Sequence, residues 1–322
     1  MLLSPENIEE AGRVVDPTFL RTPQFVSAEL SRRLGRDTAV KVETLNPIGS
    51  FKGRGADWFM RGVEPGRQVV CASAGNFGQG IAYAARARGI AVTVFASTAA
   101  NAAKLARMRE LEAEVVLVGD DFDEAKDAAR VYAAGHDCLF VEDGDDPRIA
   151  EGAGTIAVEL AAMMAAATVD TLLVPVGNGA LISGVGCWLK ASAFRTRIVG
   201  VCAAEAPAMA LSWRDGRPVT TRSAATVADG IAVRVPVPAA VEWMRSYVDD
   251  VLLVSEDAIG AALRVVRDTL GLLVEPSGAV GVAAAMEHPG DGPVATIVTG
   301  GNLSADLLAE LTGRASTRTE FP

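Results

Sequence analysis

The chain has 322 residues, of which 50% are hydrophobic and 22% charged, enough apolar material for one large domain or two ordinary ones and too much for a disordered polymer. A formal net charge of -10 argues against nucleic acid and anionic membrane surfaces as partners, since neither is held without a basic face to displace counterions. The four cysteines, Cys71, Cys138, Cys187 and Cys202, are scattered, form no C-x-x-C pair and lie in or beside apolar runs, so they read as reduced core residues of a cytoplasmic protein.

The start, MLLSPENIEE, lacks a basic region followed by an apolar one, so no secretory leader is expected there. Apolar stretches such as AAMMAAATV are too short to span a bilayer. Along the chain, β-branched runs predict strands at 38–43, 68–73, 91–96, 114–118, 138–142, 171–176, 197–203, 250–254 and 293–299. Helix-period segments separate them, for example Phe77 to Arg88, Ala100 to Leu111, Asp123 to Ala133, Ala180 to Ala191 and Ser255 to Thr269, the last opening on a capping serine and an acidic first turn. Strand and helix alternation of this kind predicts an α/β fold with parallel sheets. Three alternations between 74 and 147, closed by the acidic turn GDDP, suggest a small domain at 74–147 inserted in a large one made of 1–73 and 148–322.

Chemistry is sought in the loops that follow strands, because ligands of open α/β sheets collect at the carboxyl ends of strands. Two histidines, His136 and His288, leave a Ser-His-Asp triad and a multi-histidine zinc site without support. Three strand-following loops are rich in small residues: AGNFGQG (74–80), GNGALISG (177–184) and GGNLS (300–304). The second joins an apolar strand to a helix, so its backbone N–H groups and the helix N-terminus can cradle a phosphate. It is neither a Walker loop nor a G-x-G-x-x-G fingerprint, and GAGTIA at 152–157 follows a polar stretch instead of a strand, which favours helix packing over cofactor binding. What remains is a phosphate-bearing ligand without nucleotide signatures, plus Lys52 in NPIGSFKGRGA (46–56). A lysine amine that forms Schiff bases is what pyridoxal phosphate requires.

With these motifs in hand, the chain resembles the fold-type II pyridoxal-phosphate enzymes (tryptophan synthase β-like), in particular their threonine/serine dehydratase and serine racemase branch. The likeness runs from FLRTP (19–23) through GSFKGRGA, SAGNFGQG, PVGNGALISG, TVADGIAV (226–233) and VEPSGAVG (274–281) to TGGN (299–302). It implies two lobes, each with a mostly parallel sheet, and a pyridoxal 5'-phosphate cofactor bound to Lys52, which also acts as base at the substrate α-carbon. By the same resemblance, Phe51 lies against the cofactor, Asn76 bonds its 3-hydroxyl, Gly177, Asn178, Gly179, Ala180 and Leu181 hold its phosphate, and Thr299 meets its ring nitrogen. Gly230 and Glu275 border it. Ser73, Ala74, Gly75, Asn76 and Phe77 take the substrate carboxylate.

The implied reaction is β-elimination of water from a hydroxyl L-amino acid, such as L-threonine or L-serine, to a 2-oxo acid and ammonia. The implied assembly is a homodimer. Ala74 stands where racemases carry a second base, so one-face chemistry without racemisation is expected. Phe77 replaces the usual histidine, and Asn178 and Ala180 replace glycines of the phosphate loop. Glu205 matches one carboxylate of a family cation site, but the following APAMAL supplies no second, and no metal is expected. No regulatory domain follows the last motif, so feedback by isoleucine is not expected. A threonine synthase-like enzyme of the same fold, a nucleotide-dependent oxidoreductase and a binding protein with a decayed site remain as alternatives.

Overall fold

A computed structural model describes residues 2–166 and 168–313. The elements in chain order are α1 (Pro5–Val14), β1 (Gln24–Val26), α2 (Ala28–Leu34), β2 (Thr38–Val42), α3 (Lys52–Arg61), β3 (Val69–Ala72), α4 (Asn76–Arg86), β4 (Val92–Ala96), α5 (Ala102–Glu110), β5 (Glu114–Leu117), α6 (Phe122–Gly135), β6 (Leu139–Val141) and α7 (Pro147–Ala166). The second half follows with β7 (Thr171–Pro175), α8 (Ala180–Ala191), β8 (Arg197–Ala203), α9 (Ala208–Asp215), α10 (Pro238–Tyr247), β9 (Asp250–Val254), α11 (Glu256–Leu270), α12 (Pro276–Glu287), β10 (Val294–Val298) and α13 (Ala305–Thr312).

These strands form two sheets, in the orders β1-β2-β10-β7-β8-β9 and β5-β4-β3-β6. All pairings are parallel except that of β1 with β2. Each of the nine strand runs read from the sequence becomes a strand. The tenth, β1, is a three-residue antiparallel edge whose Phe25 and Val26 face outward at 42% and 46% exposure, so it carries no buried apolar run to announce it.

The sequence-based boundary at 73/74 needs one correction. It leaves Val69–Ala72 in the large unit, whereas β3 is central to the four-stranded sheet, with Val69 opposite Val92 of β4 and Leu139 of β6. The motif loop begins at Ser73, and the strand that feeds it belongs to the same sheet.

Helices α3, α7 and α8 pack between the sheets at separations that only small residues permit. A methyl group built on Gly55 would lie 2.5 Å from the Ile149 carbonyl oxygen, and one on Gly184 would lie 1.9 Å from that of Ala150. Gly152 and Gly154 of GAGTIA serve the same packing, against Arg54 and Gly184, and not a dinucleotide. Since the obstacle at Gly184 is backbone, Gly184→Ala must push α7 and α8 apart, and we expect a loss of about 1–3 kcal/mol, read from the shift of the urea midpoint.

Candidate active site

Five loops that follow strands of both sheets converge on Lys52. Its own loop is a built turn: the Asn46 side-chain amide donates to the Glu43 and Ser50 carbonyls (2.9 and 3.0 Å), and its Oδ1 accepts from Ile48 N–H (3.1 Å). Gly49 takes the left-handed backbone conformation that closes such a turn (φ 62°). The loop is then tied to the end of β10, where Phe51 N–H donates to the Thr299 carbonyl (3.0 Å) and Ser50 bridges Gly300. Lys52 is the first residue of α3, 15% exposed, with its Nζ 4.7 Å from the Phe51 ring centroid and 5.9 Å from that of Phe77. Thr299 therefore sits next to Phe51 and Lys52, as the motif order implies.

The loop after β7 faces the same space. Gly179 is left-handed (φ 85°) and begins α8 without any side-chain cap, so the N–H groups of the first turn, including those of Ala180 and Leu181, have no partner within the helix. Gly177 backs onto Gly230, and Gly230 onto the Ser277 hydroxyl, each too close to admit a methyl group. An uncapped twelve-residue helix with a loop of small residues is an anion site by construction.

After β3, Ser73 Oγ accepts from Gly75 N–H (3.1 Å) and Gly78 N–H (2.9 Å). This places Ser73 inside the loop's own bonding and engages the Gly75 N–H that was expected to meet a carboxylate. The N–H groups of Asn76 and Phe77, at the start of α4 behind a Gly75 cap that offers no side chain, keep no intrahelical partner. Ala74 and Gly75 line the loop beside them, half-buried.

Asn76 joins the two halves of the site. Its Nδ2 donates to Glu275 Oε1 (2.6 Å), and its Oδ1 accepts from Asn302 Nδ2 (2.7 Å). Glu275 is 2% exposed, and burial pushes its carboxyl up to about 7 from an ordinary 4.5, with nearby Lys104 opposing and Asp229 adding to the shift. The folded state therefore holds a proton that the unfolded chain releases. The stabilisation is complete below pH 4.5 and is lost as pH rises through 7. We expect the melting temperature of the cofactor-free protein to fall between pH 5 and 8, and Glu275→Gln to flatten a pH dependence worth about 3 kcal/mol.

Several residues of the site were not anticipated. Lys104, at the start of α5, pairs with Asp229 beside Gly230 (2.5 Å) and so bridges the lobes across the cleft mouth. Asp143, just past β6, places Oδ2 2.5 Å from Lys52 Nζ. Asp143 lies between the strand predicted at 138–142 and the acidic turn GDDP at 144–147, so it follows a strand, and the rule that located the other loops applies to it equally. Glu205, in contrast, is exposed on the loop after β8. Among the described residues, no group of three or more His, Cys, Asp or Glu side chains is arranged to hold a metal. Cys71, Cys187 and Cys202 are buried and Cys138 half-buried, all as free thiols, and burial pushes the Cys71 thiol up to about 12.

A reactive lysine, an uncapped helix aimed at an anion and a flanking amide find a common explanation in the family comparison, where residues 15–300 match the model described as pyridoxal-phosphate dependent enzyme. The chain belongs to this family. Among its relatives, L-threonine ammonia-lyase of Thermotoga maritima is 36% identical over 312 residues, covering 95% of this chain and 77% of that protein. Among solved structures, maize serine racemase superposes with a TM-score of 0.90 at 26% identity (97% and 98% of the two chains). The processed form of threonine deaminase isoform 2 from Solanum lycopersicum gives 0.85 at 29% (97% and 96%).

Membership sets aside the nucleotide-dependent oxidoreductase alternative and identifies the protein as a pyridoxal-phosphate enzyme of fold type II. The site suits that cofactor on its own terms. Ser277 Oγ against Gly230, Glu275 Oε2 at the start of α12 and Asp143 Oδ1 beside Lys52 are buried without hydrogen-bond partners, and a polar group bound in the cleft would offer them one.

Proposed function

We propose that the protein eliminates water from a hydroxyl L-amino acid, with L-threonine and L-serine as the substrate class, releasing a 2-oxo acid and ammonia. The observation that carries this reading is the convergence on Lys52 of two uncapped helix N-termini. One, at Ala180, suits a phosphate, and the other, at Asn76, suits a carboxylate. A substrate amino acid so held by its carboxylate presents its α-carbon to a lysine fixed by its position on α3.

Pyridoxal phosphate supplies the electron sink and the Schiff-base carbon to which Lys52 attaches. The chain's own groups do the rest. Gly177, Asn178, Gly179, Ala180 and Leu181 would offer backbone donors to the phosphate, Asn76 would reach the 3-hydroxyl, and Thr299 would offer a hydroxyl to the ring nitrogen. Phe51, Gly230 and Glu275 border the ring. Asn76 and Phe77 N–H bind the substrate carboxylate, with Ser73 and Gly75 holding the loop and Ala74 lining it. Lys52 takes the α-proton, and positioning by these loops carries much of the barrier reduction.

The deciding assay is formation of 2-oxobutanoate from L-threonine with no second substrate. A strict requirement for a phosphorylated substrate or an added nucleophile would move the protein to the synthases of the same fold. Ala74 has no proton to move, so D-serine formed from L-serine should lag elimination at least about a hundredfold, the scale of one missing acid–base group, as chiral chromatography would show. A homodimer is the proposed assembly, checked by light scattering. A cytoplasmic setting agrees with the free thiols, and no helix among the described residues is long and apolar enough to cross a membrane.

A further inference from the structure

Asp143 has no role in the scheme above, yet it is the carboxylate nearest the reacting nitrogen. It enters from the small sheet, opposite α3, and its backbone is fixed on both sides. Glu142 is held away from the cleft by Lys126 (3.2 Å) and Arg130, which leaves its neighbour pointing the other way. Gly144, left-handed at φ 93°, presses against Asn178 so closely that a methyl group there would lie 2.4 Å from the Asn178 carbonyl oxygen. The Asp143 carboxylate is thereby pinned between Lys52 and the phosphate-type loop.

Its two oxygens are in different situations. Oδ2 receives Lys52 Nζ, so the cleft already demonstrates a carboxylate binding a donor at the reacting position. Oδ1 is buried and receives nothing, although Asp143 is only 9% exposed. A buried carboxylate oxygen ordinarily accepts at least one hydrogen bond, and leaving one bare is costly. The other titratable groups at the cleft are engaged elsewhere: Lys104 with Asp229, and Glu275 with Asn76. Should Lys52 hold a cofactor, Oδ2 would be left as an acceptor beside the reacting nitrogen, where the substrate side chain must lie.

We propose that Asp143 is a specificity residue: its carboxylate accepts a hydrogen bond from the β-substituent of the substrate and so selects amino acids whose leaving group carries an O–H or N–H donor. This rests on the reading that Lys52 is the cofactor-bearing base. It also gives Asp143 a reason to be charged, since an ionised acceptor binds a hydroxyl more strongly than a neutral one does and leaves a donor-free substituent unrewarded.

The test uses the cofactor-loaded enzyme and two ligands that lack an α-proton, α-methyl-L-serine and α-aminoisobutyrate, which differ by one hydroxyl. Binding is read from the change in the visible cofactor band, without turnover. The wild type should bind α-methyl-L-serine at least about tenfold more tightly, as one hydrogen bond to a charged acceptor dictates, and Asp143→Ala should abolish the difference. In steady state, kcat/KM for L-serine should fall at least about tenfold in this variant, while that for β-chloro-L-alanine, whose leaving group has no donor, should change less than threefold.

Equal losses for both amino acids, or a ligand preference that survives the substitution, would overturn the proposal. If Asp143→Ala does not fold, Asp143→Asn, which keeps the side-chain volume, carries the same expectation of a reduced preference. Failure of the underlying reading looks different: no visible band forms with added cofactor, and borohydride fixes nothing on Lys52.

Discussion

Replacement of Lys52 by alanine should abolish turnover, by roughly 10^4-fold or more, while leaving the fold intact and cofactor affinity measurable. The size follows from the two jobs that converge on one nitrogen, covalent attachment and proton transfer, neither of which another side chain in reach can take. Lys104 brings a second amine to the loop at Gly75, but it is held by Asp229 at the cleft mouth. Thermal stability should fall modestly, because the change strips the nearly buried Asp143 of its ion-pair partner.

Two measurements decide the matter. Borohydride treatment followed by peptide mapping should label Lys52 in the wild type and nothing in Lys52→Ala. The variant should still take up cofactor through the α8 N-terminus, more weakly and with an unattached aldehyde spectrum. Turnover retained within tenfold would remove Lys52 from the reaction.

The sheets were readable because their strands are buried on both faces and therefore appear as short continuous apolar runs. The same burial hid two helices. α7 and α12 lie among other elements on most sides, so PRIAEGAGTIAVELAAMMAA and PSGAVGVAAAME carry glycines and small residues where an amphipathic stripe would be sought. Lys52 and the three small-residue loops were legible for a different reason: their chemistry is local, a strand followed by donors or by a nucleophile. Asp143 was within reach of the same rule but stands alone between a predicted strand and an acidic turn, in a loop without the run of small residues that marked the others. The Ser73 hydroxyl shows the opposite limit, since only coordinates reveal that it caps its own loop.

The residue two positions beyond Lys52 provides the second large effect, on stability. Arg54 is fully buried, and its guanidinium donates to both oxygens of Glu43 (2.8 and 2.9 Å) and both of Glu159 (2.7 and 3.1 Å), as well as to Thr155 (3.0 Å) and Thr22 (3.2 Å). Lys41, also buried, completes a neutral set by pairing with Glu159 (2.5 Å). The partners lie 11 and 105 residues from Arg54, so nothing in the local sequence announces them. Burial works against the charge on Arg54, but Glu43 and Glu159 outweigh it and raise its pKa. Glu159 is likewise lowered, against its own burial, by Arg54 and Lys41.

Arg54→Met should therefore cost about 3–5 kcal/mol, because it leaves the buried Glu43 without its cation and Glu159 with Lys41 alone. Arg54→Lys should recover little of this, since one ammonium cannot replace a planar fork that meets two carboxylates at once. A double variant that also neutralises Glu43 as glutamine, and so keeps the Lys41–Glu159 pair, should be more stable than Arg54→Met alone, which separates stranded charge from lost packing volume. The pH dependence has a definite sign: the Glu159 carboxylate is held low in the folded state, so its contribution is present above pH 4.5 and is lost as pH falls through the folded value. Urea midpoints at pH 7 and pH 4 should thus lie closer together in the double variant, where Glu159 no longer has Arg54 beside it, than in the wild type. Because α3 carries Lys52 on its first turn and Arg54 on the same turn, the cluster also fixes where the reacting amine stands, and cofactor affinity should weaken in Arg54→Met in parallel with stability.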